Sequence, residues 1–296
     1  MEHVKKAVFA FPEVEDEAGR LAKKLAVPLG FIDLHFFPDG ESRVTVPFTA
    51  DHAILYQPLH NANLKLFPVI QALSALKARE DVTIAFVCPY LPYMRQDKVF
   101  RDGQAFSQKV FAKVISPWID SLITVEPHLH RSRSMDTVFP DITGIALSGG
   151  EIMAGYFSRK RVDKNTLVLG PDEEAWHTAK PFAEALKLDW TTAVKKRKGD
   201  RDVEVDIEGK DLKGRPVIIV DDVISSGMTV FQTAKKAYDL GAGSVEVAVV
   251  HALANNQTLE ALRQAGVAWV VSCDGVPHET NKIQLAPALA KACKGL

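Results

Sequence analysis

Cysteine is scarce in this chain of 296 residues, and its few copies follow no pattern. The three cysteines are Cys88, Cys273 and Cys293, which are far apart and odd in number. Their positions do not have the spacing of a metal-binding motif. This usage fits a reducing compartment.

Long apolar runs and a strong charge imbalance are also absent. No window approaches the roughly 18 apolar residues that a membrane span needs, and the N-terminus lacks the apolar core of a signal peptide. The formal net charge is −1, and 47% of the residues are hydrophobic and 25% charged, which is average for a soluble globular protein. We therefore expect a cytoplasmic protein without a nucleic-acid or membrane partner.

Short apolar runs alternate with helical patterns through both halves of the sequence. Val82 to Cys88, for example, has the composition of a buried strand, and Trp176 to Leu186 has the periodicity of a helix. The length suits two domains, each with its own core. The pattern predicts an α/β fold with two tandem domains, each a mostly parallel sheet flanked by helices. We place the domains at residues 1–145 and 146–296, with the last helix packing back on the first domain.

The most informative stretch is Pro216 to Gly241, PVIIVDDVISSGMTVFQTAKKAYDLG. A β-branched run predicts a buried strand, and two carboxylates follow it before a loop of small and hydroxyl residues enters a helix. Hydroxyls, backbone N–H groups and a helix N-terminus suit a phosphate monoester, whereas carboxylates suit a sugar diol or a metal ion. An ordinary strand with acidic residues at its end is the alternative interpretation. The predicted ribose-phosphate cradle comprises Asp221, Asp222, Ser225, Ser226, Gly227 and Thr229.

This stretch resembles the phosphoribosyl diphosphate binding motif of the type I phosphoribosyltransferase fold. In that motif two acidic residues precede a Thr-Gly-Gly-Thr-like loop, so Ser226 stands for the first threonine and Gly227 for the first glycine. Met228 replaces the second glycine and brings bulk beside the phosphate. Either the loop never needs a positive φ at Met228, or the site is altered.

Two stretches of the first half resemble the ribose-phosphate diphosphokinase family, also called phosphoribosyl diphosphate synthetase. The resemblance of FFPDGE implies that this turn contacts the adenine of ATP across a subunit boundary. The resemblance of YMRQDK implies that its arginine and glutamine hold ATP phosphates, while Asp97 and Lys98 order the loop. Taken alone, the first stretch is an ordinary turn and the second a solvated loop. The implied ATP-binding residues are Phe37, Asp39, Glu41, Arg95 and Gln96.

Three further stretches extend this resemblance. VEPHLH places His128 where the family has a histidine ligand of magnesium, although His130 forms a His-x-His pair with it. LGPDEEAW places Asp172 at a metal and ribose position. AVKKRKGDRDVEV is similar to a mobile catalytic loop in which Lys195 and Arg197 stabilise charge in the transition state.

The resemblance implies an enzyme that transfers the diphosphoryl group of ATP to the 1-hydroxyl of ribose 5-phosphate. The products are 5-phosphoribosyl 1-diphosphate and AMP, and the cofactor is Mg²⁺. The shared ATP site implies a homo-oligomer, at least a dimer. A phosphoribosyltransferase and a non-catalytic regulatory relative remain as alternatives. Met228 and Ser272-Cys273, where the family often has Thr-Asn, are the departures that point toward the non-catalytic relative, whereas the intact Lys195 and Arg197 speak against it.

Overall fold

A computed structural model describes residues 2–78, 81–132, 134–197, 203–207 and 209–296, without the side chains of residues 195–197 and 203–205. The chain divides into two compact units, and each is described by itself. Unit 1 comprises Met1–Leu147 and Leu285–Leu296, and unit 2 comprises Ser148–Gln284. Within the described ranges, no helix has the length and apolar character needed to cross a membrane.

Unit 1 is built on a six-stranded parallel sheet. Its order is β2-β1-β5-β6-β7-β8, so the second strand lies outside the first and the later strands follow on the other side. A separate antiparallel hairpin, β3-β4, is inserted after β2. The strands are β1 (His3–Ala10), β2 (Leu29–Phe31), β3 (Asp33–Phe36), β4 (Ser42–Thr45), β5 (Thr49–Tyr56), β6 (Thr83–Val87), β7 (Ser121–Val125) and β8 (Thr143–Leu147).

The helices of unit 1 pack on its sheet through apolar faces. Ala18, Leu21 and Ala22 of the first helix are buried, at the i, i+3 and i+4 spacing that an amphipathic helix requires. The last helix of the chain contacts this first helix, and Lys6 Nζ donates to the Cys293 carbonyl at 3.3 Å. The helices are α1 (Glu15–Leu25), α2 (Ala62–Leu76), α3 (Ser107–Ile115), α4 (Met135–Val138) and, from the end of the chain, α9 (Ala286–Cys293).

Unit 2 has a sheet with the same plan as unit 1. Its six parallel strands have the order β10-β9-β13-β14-β15-β16, and the antiparallel hairpin β11-β12 is inserted after β10. The strands are β9 (Leu167–Gly170), β10 (Asp189–Thr192), β11 (Val194–Arg197), β12 (Val203–Asp206), β13 (Pro216–Ile224), β14 (Ser244–Ala252), β15 (Val267–Cys273) and β16 (Asn281–Ile283). The helices are α5 (Gly149–Phe157), α6 (Trp176–Leu186), α7 (Met228–Asp239) and α8 (Asn256–Gln264).

The structure corrects the predicted end of the strand that carries the acidic pair. The sequence pattern ends this strand at Val220, whereas β13 continues to Ile224 and pairs Asp221 with Val249 of β14. The strand continues because β14 is equally long and offers backbone partners on one side. Asp221 and Asp222 therefore lie inside a central strand, and their backbone is held by the sheet.

Candidate active site

The loop after β6 in unit 1 carries the predicted phosphate ligands Arg95 and Gln96. The Arg95 side chain is exposed, whereas Gln96 is partly buried and is fixed against the start of α3. Ser107 Oγ donates to Gln96 Oε1 at 2.8 Å, and the Gln108 N–H donates to the Gln96 carbonyl at 3.3 Å. These bonds hold the loop beside the N-terminus of a helix, where an anion is stabilised.

An ion pair joins this loop to the loop that follows β7. Arg131 Nη1 lies 3.0 Å from Asp97 Oδ1 and 3.1 Å from Asp97 Oδ2, and the Asp97 side chain is 0% exposed. Burying a carboxylate costs free energy unless it is paired. Arg131 therefore offsets the cost of burying the Asp97 carboxylate. The family resemblance implied a loop-ordering role for Asp97 but gave no role to Arg131. No motif could have revealed it, because the pairing depends on two loops that are distant in sequence.

The same two loops contain strained backbone. Tyr93 has φ of 63° and Glu126 has φ of 43°, each two residues before a predicted ligand, Arg95 and His128 respectively. Residues other than glycine rarely adopt positive φ, and such residues cluster at functional sites. The His128 ring contacts the His130 ring edge to face, with centroids 3.8 Å apart.

The hairpin β3-β4 presents the three predicted adenine-contacting residues at its tip. Phe37 is 40% exposed, and Asp39 and Glu41 are also exposed. The turn is closed by bonds from the Phe37 N–H to the Glu41 carbonyl at 2.8 Å and from the Gly40 N–H to the Phe37 carbonyl at 2.9 Å. Gly40 has φ of 91°, which the turn requires. The structure therefore brings these three side chains together on an open surface of unit 1.

In unit 2, three carboxylates converge at the carboxyl ends of β9 and β13. Asp172 follows β9, and Asp221 and Asp222 lie near the end of the neighbouring strand β13. Burial, followed by the charges of Asp222 and Asp172, raises the pKa of Asp221 well above its usual range. The predicted metal residue and the predicted sugar residues of this unit thus share one acidic cluster, to which a cation would be attracted.

The loop between β13 and α7 explains the methionine at position 228. Gly227 has φ of 69° and is the N-cap of α7, whereas Met228 is the first helical residue and is 57% exposed. A Cβ added to Gly227 would lie 2.4 Å from Thr258 Cγ2. The positive φ falls on Gly227, so the loop needs no glycine at position 228.

The remaining loop residues lie where a phosphate could reach them. Ser225 and Ser226 are exposed, Thr229 is partly buried in the first turn of α7, and the N-cap makes no side-chain bond to this turn. The first N–H groups of a helix have no intrahelical partner, which makes this terminus suitable for an anion.

Two further stretches that the sequence singles out are Ser272-Cys273 and the basic stretch with Lys195 and Arg197. Ser272 and Cys273 are fully buried at 0% exposure, and Asn281 Nδ2 donates to Ser272 Oγ at 2.9 Å and to the Cys273 carbonyl at 2.6 Å. This pair therefore supports the β15-β16 edge within unit 2. Lys195 and Arg197 lie in β11, and their side chains, like residues 198–202 of the same basic stretch, lie outside the described part of the chain.

Comparisons with known proteins cover nearly the whole sequence. Residues 7–117 match the family described as the N-terminal domain of ribose phosphate pyrophosphokinase, and residues 142–282 match the phosphoribosyl transferase domain. A ribose-phosphate pyrophosphokinase of Methanopyrus kandleri is 30% identical over 94% of each chain. Another, of Sulfurisphaera tokodaii, is 34% identical over 92% of this chain and 94% of its own.

A solved structure shows the same fold. The phosphoribosylpyrophosphate synthetase of Mycobacterium smegmatis superimposes with a TM-score of 0.82 and covers 98% of each chain at 23% identity. The predicted two-domain α/β fold is thereby confirmed, as is the resemblance to this family. With both halves matched in order and two relatives at 30% identity or more, this chain belongs to the ribose-phosphate pyrophosphokinase family.

Proposed function

We propose that this protein transfers the diphosphoryl group of ATP to the 1-hydroxyl of ribose 5-phosphate, releasing AMP. The observation that carries this proposal is the ending of β13, where an acidic pair precedes a glycine-capped helix N-terminus. Carboxylates that accept from a sugar diol, beside N–H groups that donate to a phosphate, match the two ends of ribose 5-phosphate. Family membership over both halves of the chain supports the same reaction.

Each unit supplies one substrate site in this proposal. In unit 2, Asp221 and Asp222 bind the ribose hydroxyls, and Ser225, Ser226, Gly227 and Thr229 bind the 5-phosphate. In unit 1, Arg95 and Gln96 bind the ATP phosphates. Phe37 stacks on the adenine, while Asp39 and Glu41 accept from its amino group. The exposed position of the last three residues suits an ATP site completed by a second copy of the chain, so we infer at least a dimer.

The acidic cluster of unit 2 fits a divalent cation. Its carboxylate oxygens are the ligands that Mg²⁺ prefers, and the raised pKa of Asp221 results partly from the neighbouring charges of Asp222 and Asp172. We propose Asp172 as a metal ligand of unit 2 and, separately, His128 as a metal ligand of unit 1. When bound, Mg²⁺ neutralises the charge of the phosphates. The protein side chains then orient the 1-hydroxyl and the diphosphoryl group for in-line transfer.

The test of the reaction is release of AMP from ATP in the presence of Mg²⁺ and ribose 5-phosphate. We expect AMP and 5-phosphoribosyl 1-diphosphate in equal amounts and no AMP when ribose 5-phosphate is omitted. AMP formation that does not depend on the sugar would overturn the proposal. A phosphoribosyltransferase would instead consume 5-phosphoribosyl 1-diphosphate in the presence of a nucleobase, and a non-catalytic relative would give no product in either assay.

The role of β11 has its own test. We propose that Lys195 and Arg197 stabilise charge that develops on the transferred group. Lys195→Ala and Arg197→Ala should each lower kcat by about a hundredfold or more with a smaller change in the KM for ATP. Lys196→Ala, between them in the same strand, is the matched control and should retain turnover. Equal turnover in all three variants would remove β11 from the mechanism.

A further inference from the structure

Unit 1 contains a cavity that differs in its lining from the predicted substrate sites. Its volume is about 550 Å³, within the range of small-molecule sites. It lies beyond the carboxyl ends of β1 and β5, between the start of α2 and the hairpin β3-β4. In open α/β sheets this edge is where ligands bind.

The cavity has the same place in unit 1 as the ribose-phosphate cradle has in unit 2. Pro12-Glu13 follows β1 as Pro171-Asp172 follows β9. The third strand of each sheet then leads to a helix whose N-cap has a left-handed backbone, Asn61 with φ of 56° and Gly227 with φ of 69°. The Asn61 side chain makes no bond to the first turn of its helix, and Gly227 has no side chain with which to make one. The duplicated fold thus forms a second concave site at an equivalent edge.

One end of the cavity is polar and is built from partly buried hydrogen bonds. Glu13 Oε1 accepts from Gln57 Nε2 at 2.6 Å and lies 2.8 Å from Lys65 Nζ. Lys65 Nζ is also 3.0 Å from His60 Nε2. Burial opposes ionisation of Glu13, but hydrogen bonds from Lys65 and Gln57 and the charge of Lys65 outweigh it and lower the pKa of Glu13. Glu13 is therefore a carboxylate at neutral pH.

A buried acceptor at this end has no partner among the residues that the structure describes. Gln57 is 1% exposed, and its Oε1 accepts no hydrogen bond from them, although Nε2 donates to Glu13 and to the Pro58 carbonyl. Rotating the amide by 180° would place its oxygen against the Glu13 carboxylate, so the orphan acceptor cannot be removed in that way. A buried unsatisfied polar atom is costly, and a ligand that donates a hydrogen bond would remove this cost.

The charges of this end favour an uncharged ligand. Glu13 and Lys65 neutralise one another, and burial together with the charge of Lys65 lowers the pKa of His60 to about 4, so its ring is neutral at pH 7. The loop after β5 reads Pro58-Leu59-His60, without the hydroxyls of the unit 2 loop. A phosphate would meet the Glu13 carboxylate, and the charge of Lys65 is already paired with that carboxylate, so a phosphate is disfavoured.

The other walls of the cavity are apolar and partly aromatic. Phe36 is 57% exposed and Leu64 is 76% exposed, while Phe11 is buried behind them. Exposed aromatic surface next to a small set of polar groups is typical of a site for a flat ring. A donor on the ring suits the polar end of the cavity, because the side-chain oxygens there, those of Glu13 and Gln57, are acceptors.

We infer that this cavity binds an amino-substituted purine, with its ring against Phe36 and its amino group directed at Gln57 Oε1 and Glu13. Adenosine is the appropriate probe, and inosine is the matched control ligand because it replaces the amino donor by a carbonyl acceptor. Adenosine should bind. Inosine should bind at least about tenfold more weakly, since it would place an acceptor against an acceptor.

The experiment is calorimetric titration of the whole protein with each nucleoside. Glu13→Gln and Gln57→Leu should each weaken adenosine binding about tenfold, whereas Glu15→Gln, an exposed residue in the first turn of α1, should leave it unchanged. Thermal unfolding and AMP release in the same variants check that they fold. We expect turnover within about twofold of the wild type, because Glu13 and Gln57 are not among the predicted catalytic or substrate-binding residues.

Adenosine could also enter the proposed ATP site, and a further variant separates the two sites. Phe37→Ala should lower the affinity for ATP and leave the Glu13-dependent binding of adenosine intact. Adenosine binding that is lost in Phe37→Ala and kept in Glu13→Gln would overturn the inference. So would the absence of adenosine binding to the wild type, or equal affinity for adenosine and inosine. These outcomes are independent of the AMP release assay, which tests the proposed function alone.

Discussion

Each unit of the chain carries a six-stranded parallel sheet in which the second strand in chain order lies outside the first, and each inserts an antiparallel hairpin after that second strand. The hairpin of unit 1 carries Phe37, Asp39 and Glu41 in its turn, and the hairpin of unit 2 carries Lys195 and Arg197. Equivalent places in the two sheets therefore hold different predicted roles.

The two units differ in which strand ends carry the predicted site residues. In unit 2 the predicted site carboxylates, Asp172, Asp221 and Asp222, lie at the ends of the first and third strands. In unit 1 the equivalent strand ends line an aromatic cavity, and the predicted ligands Arg95 and His128 follow the fourth and fifth strands. A duplicated sheet can thus support two substrate sites because only the loops need to diverge.

The largest predicted effect comes from a substitution in the acidic cluster of unit 2. Asp221→Asn should lower kcat by about a hundredfold or more, because the proposed acceptor of the sugar hydroxyl loses its negative charge. The same change should raise Tm at pH 7, by about 2 to 4 °C, because it removes repulsion within the cluster. The sign follows from the raised pKa of Asp221. Above pH 3.8, the ordinary pKa of an aspartate, the folded state binds more protons than the unfolded chain, so the stability contribution falls as pH rises from there.

Thermal unfolding at pH 5 and pH 7 with and without Mg²⁺ checks this prediction. The gain in Tm should shrink at pH 5. It should disappear when Mg²⁺ is present, because a cation bound at the proposed site would neutralise the same charge. Asp239→Asn at the end of α7 is the control for an acidic residue of the same unit. A lower Tm in Asp221→Asn than in the wild type at pH 7 would contradict the electrostatic account.

The second prediction concerns the ion pair that joins two loops of unit 1. Arg131→Met leaves the buried Asp97 carboxylate uncompensated, so the loop that carries Arg95 and Gln96 should lose its position. We expect the KM for ATP to rise about tenfold or more, with the KM for ribose 5-phosphate within about twofold. Asp97→Asn combined with Arg131→Met should restore part of the loss, because no buried charge remains.

A steady-state titration of each substrate separates this role from a general loss of folded protein. Unfolding would lower kcat and leave both KM values equal to those of the wild type. Arg263→Met, which removes an exposed ion pair with Glu260, is the matched control. The interpretation fails if Arg131→Met changes neither KM.

The sequence predicted the regular elements of the fold better than the contacts between them. The helix α6 has the predicted bounds, Trp176–Leu186, because apolar periodicity is a local signal. The strands β10 and β16 were missed, since segments of three or four residues with polar members carry little pattern. The residues near Thr143, read only as a domain boundary, form β8.

The candidate site could be predicted only as far as motifs extend. The resemblance supplied the residues of both sites, and their roles stay predictions. The structure added what depends on tertiary proximity, namely the convergence of Asp172 with Asp221 and the partnership of Arg131 with Asp97. It also shows that Met228 does not need a positive φ, because Gly227, one residue earlier, has it.

The third prediction concerns the glycine cap of α7. Gly227→Ala should destabilise the protein by about 1 to 2 kcal/mol, the usual cost of a left-handed residue with a side chain, plus the cost of the contact with Thr258. Its KM for ribose 5-phosphate should rise as the loop shifts. Met228→Gly, one residue further, should change the KM little. Adding Thr258→Ser should recover the steric part of the loss and leave the part due to φ, which denaturant unfolding of the three variants can measure.

The smallest predicted effect contrasts the pH response of the two units. The pKa of His60 is lowered to about 4 by burial and by Lys65, from 6.5 in the unfolded chain. The stability that this neutral ring contributes is present above pH 6.5 and is lost as pH falls toward 4, because the unfolded chain then binds the additional proton. His60→Gln should flatten the decline in unfolding free energy over this range by about 1 kcal/mol, a value reduced for the partial exposure of the ring.

The stability contribution of Asp221 changes with pH in the opposite direction over an overlapping range. His60→Gln and Asp221→Asn should therefore change the slope of Tm against pH in opposite directions. If both slopes change in the same direction, either the lowered pKa of His60 or the raised pKa of Asp221 is wrong. The variant whose slope changes against its prediction identifies which one.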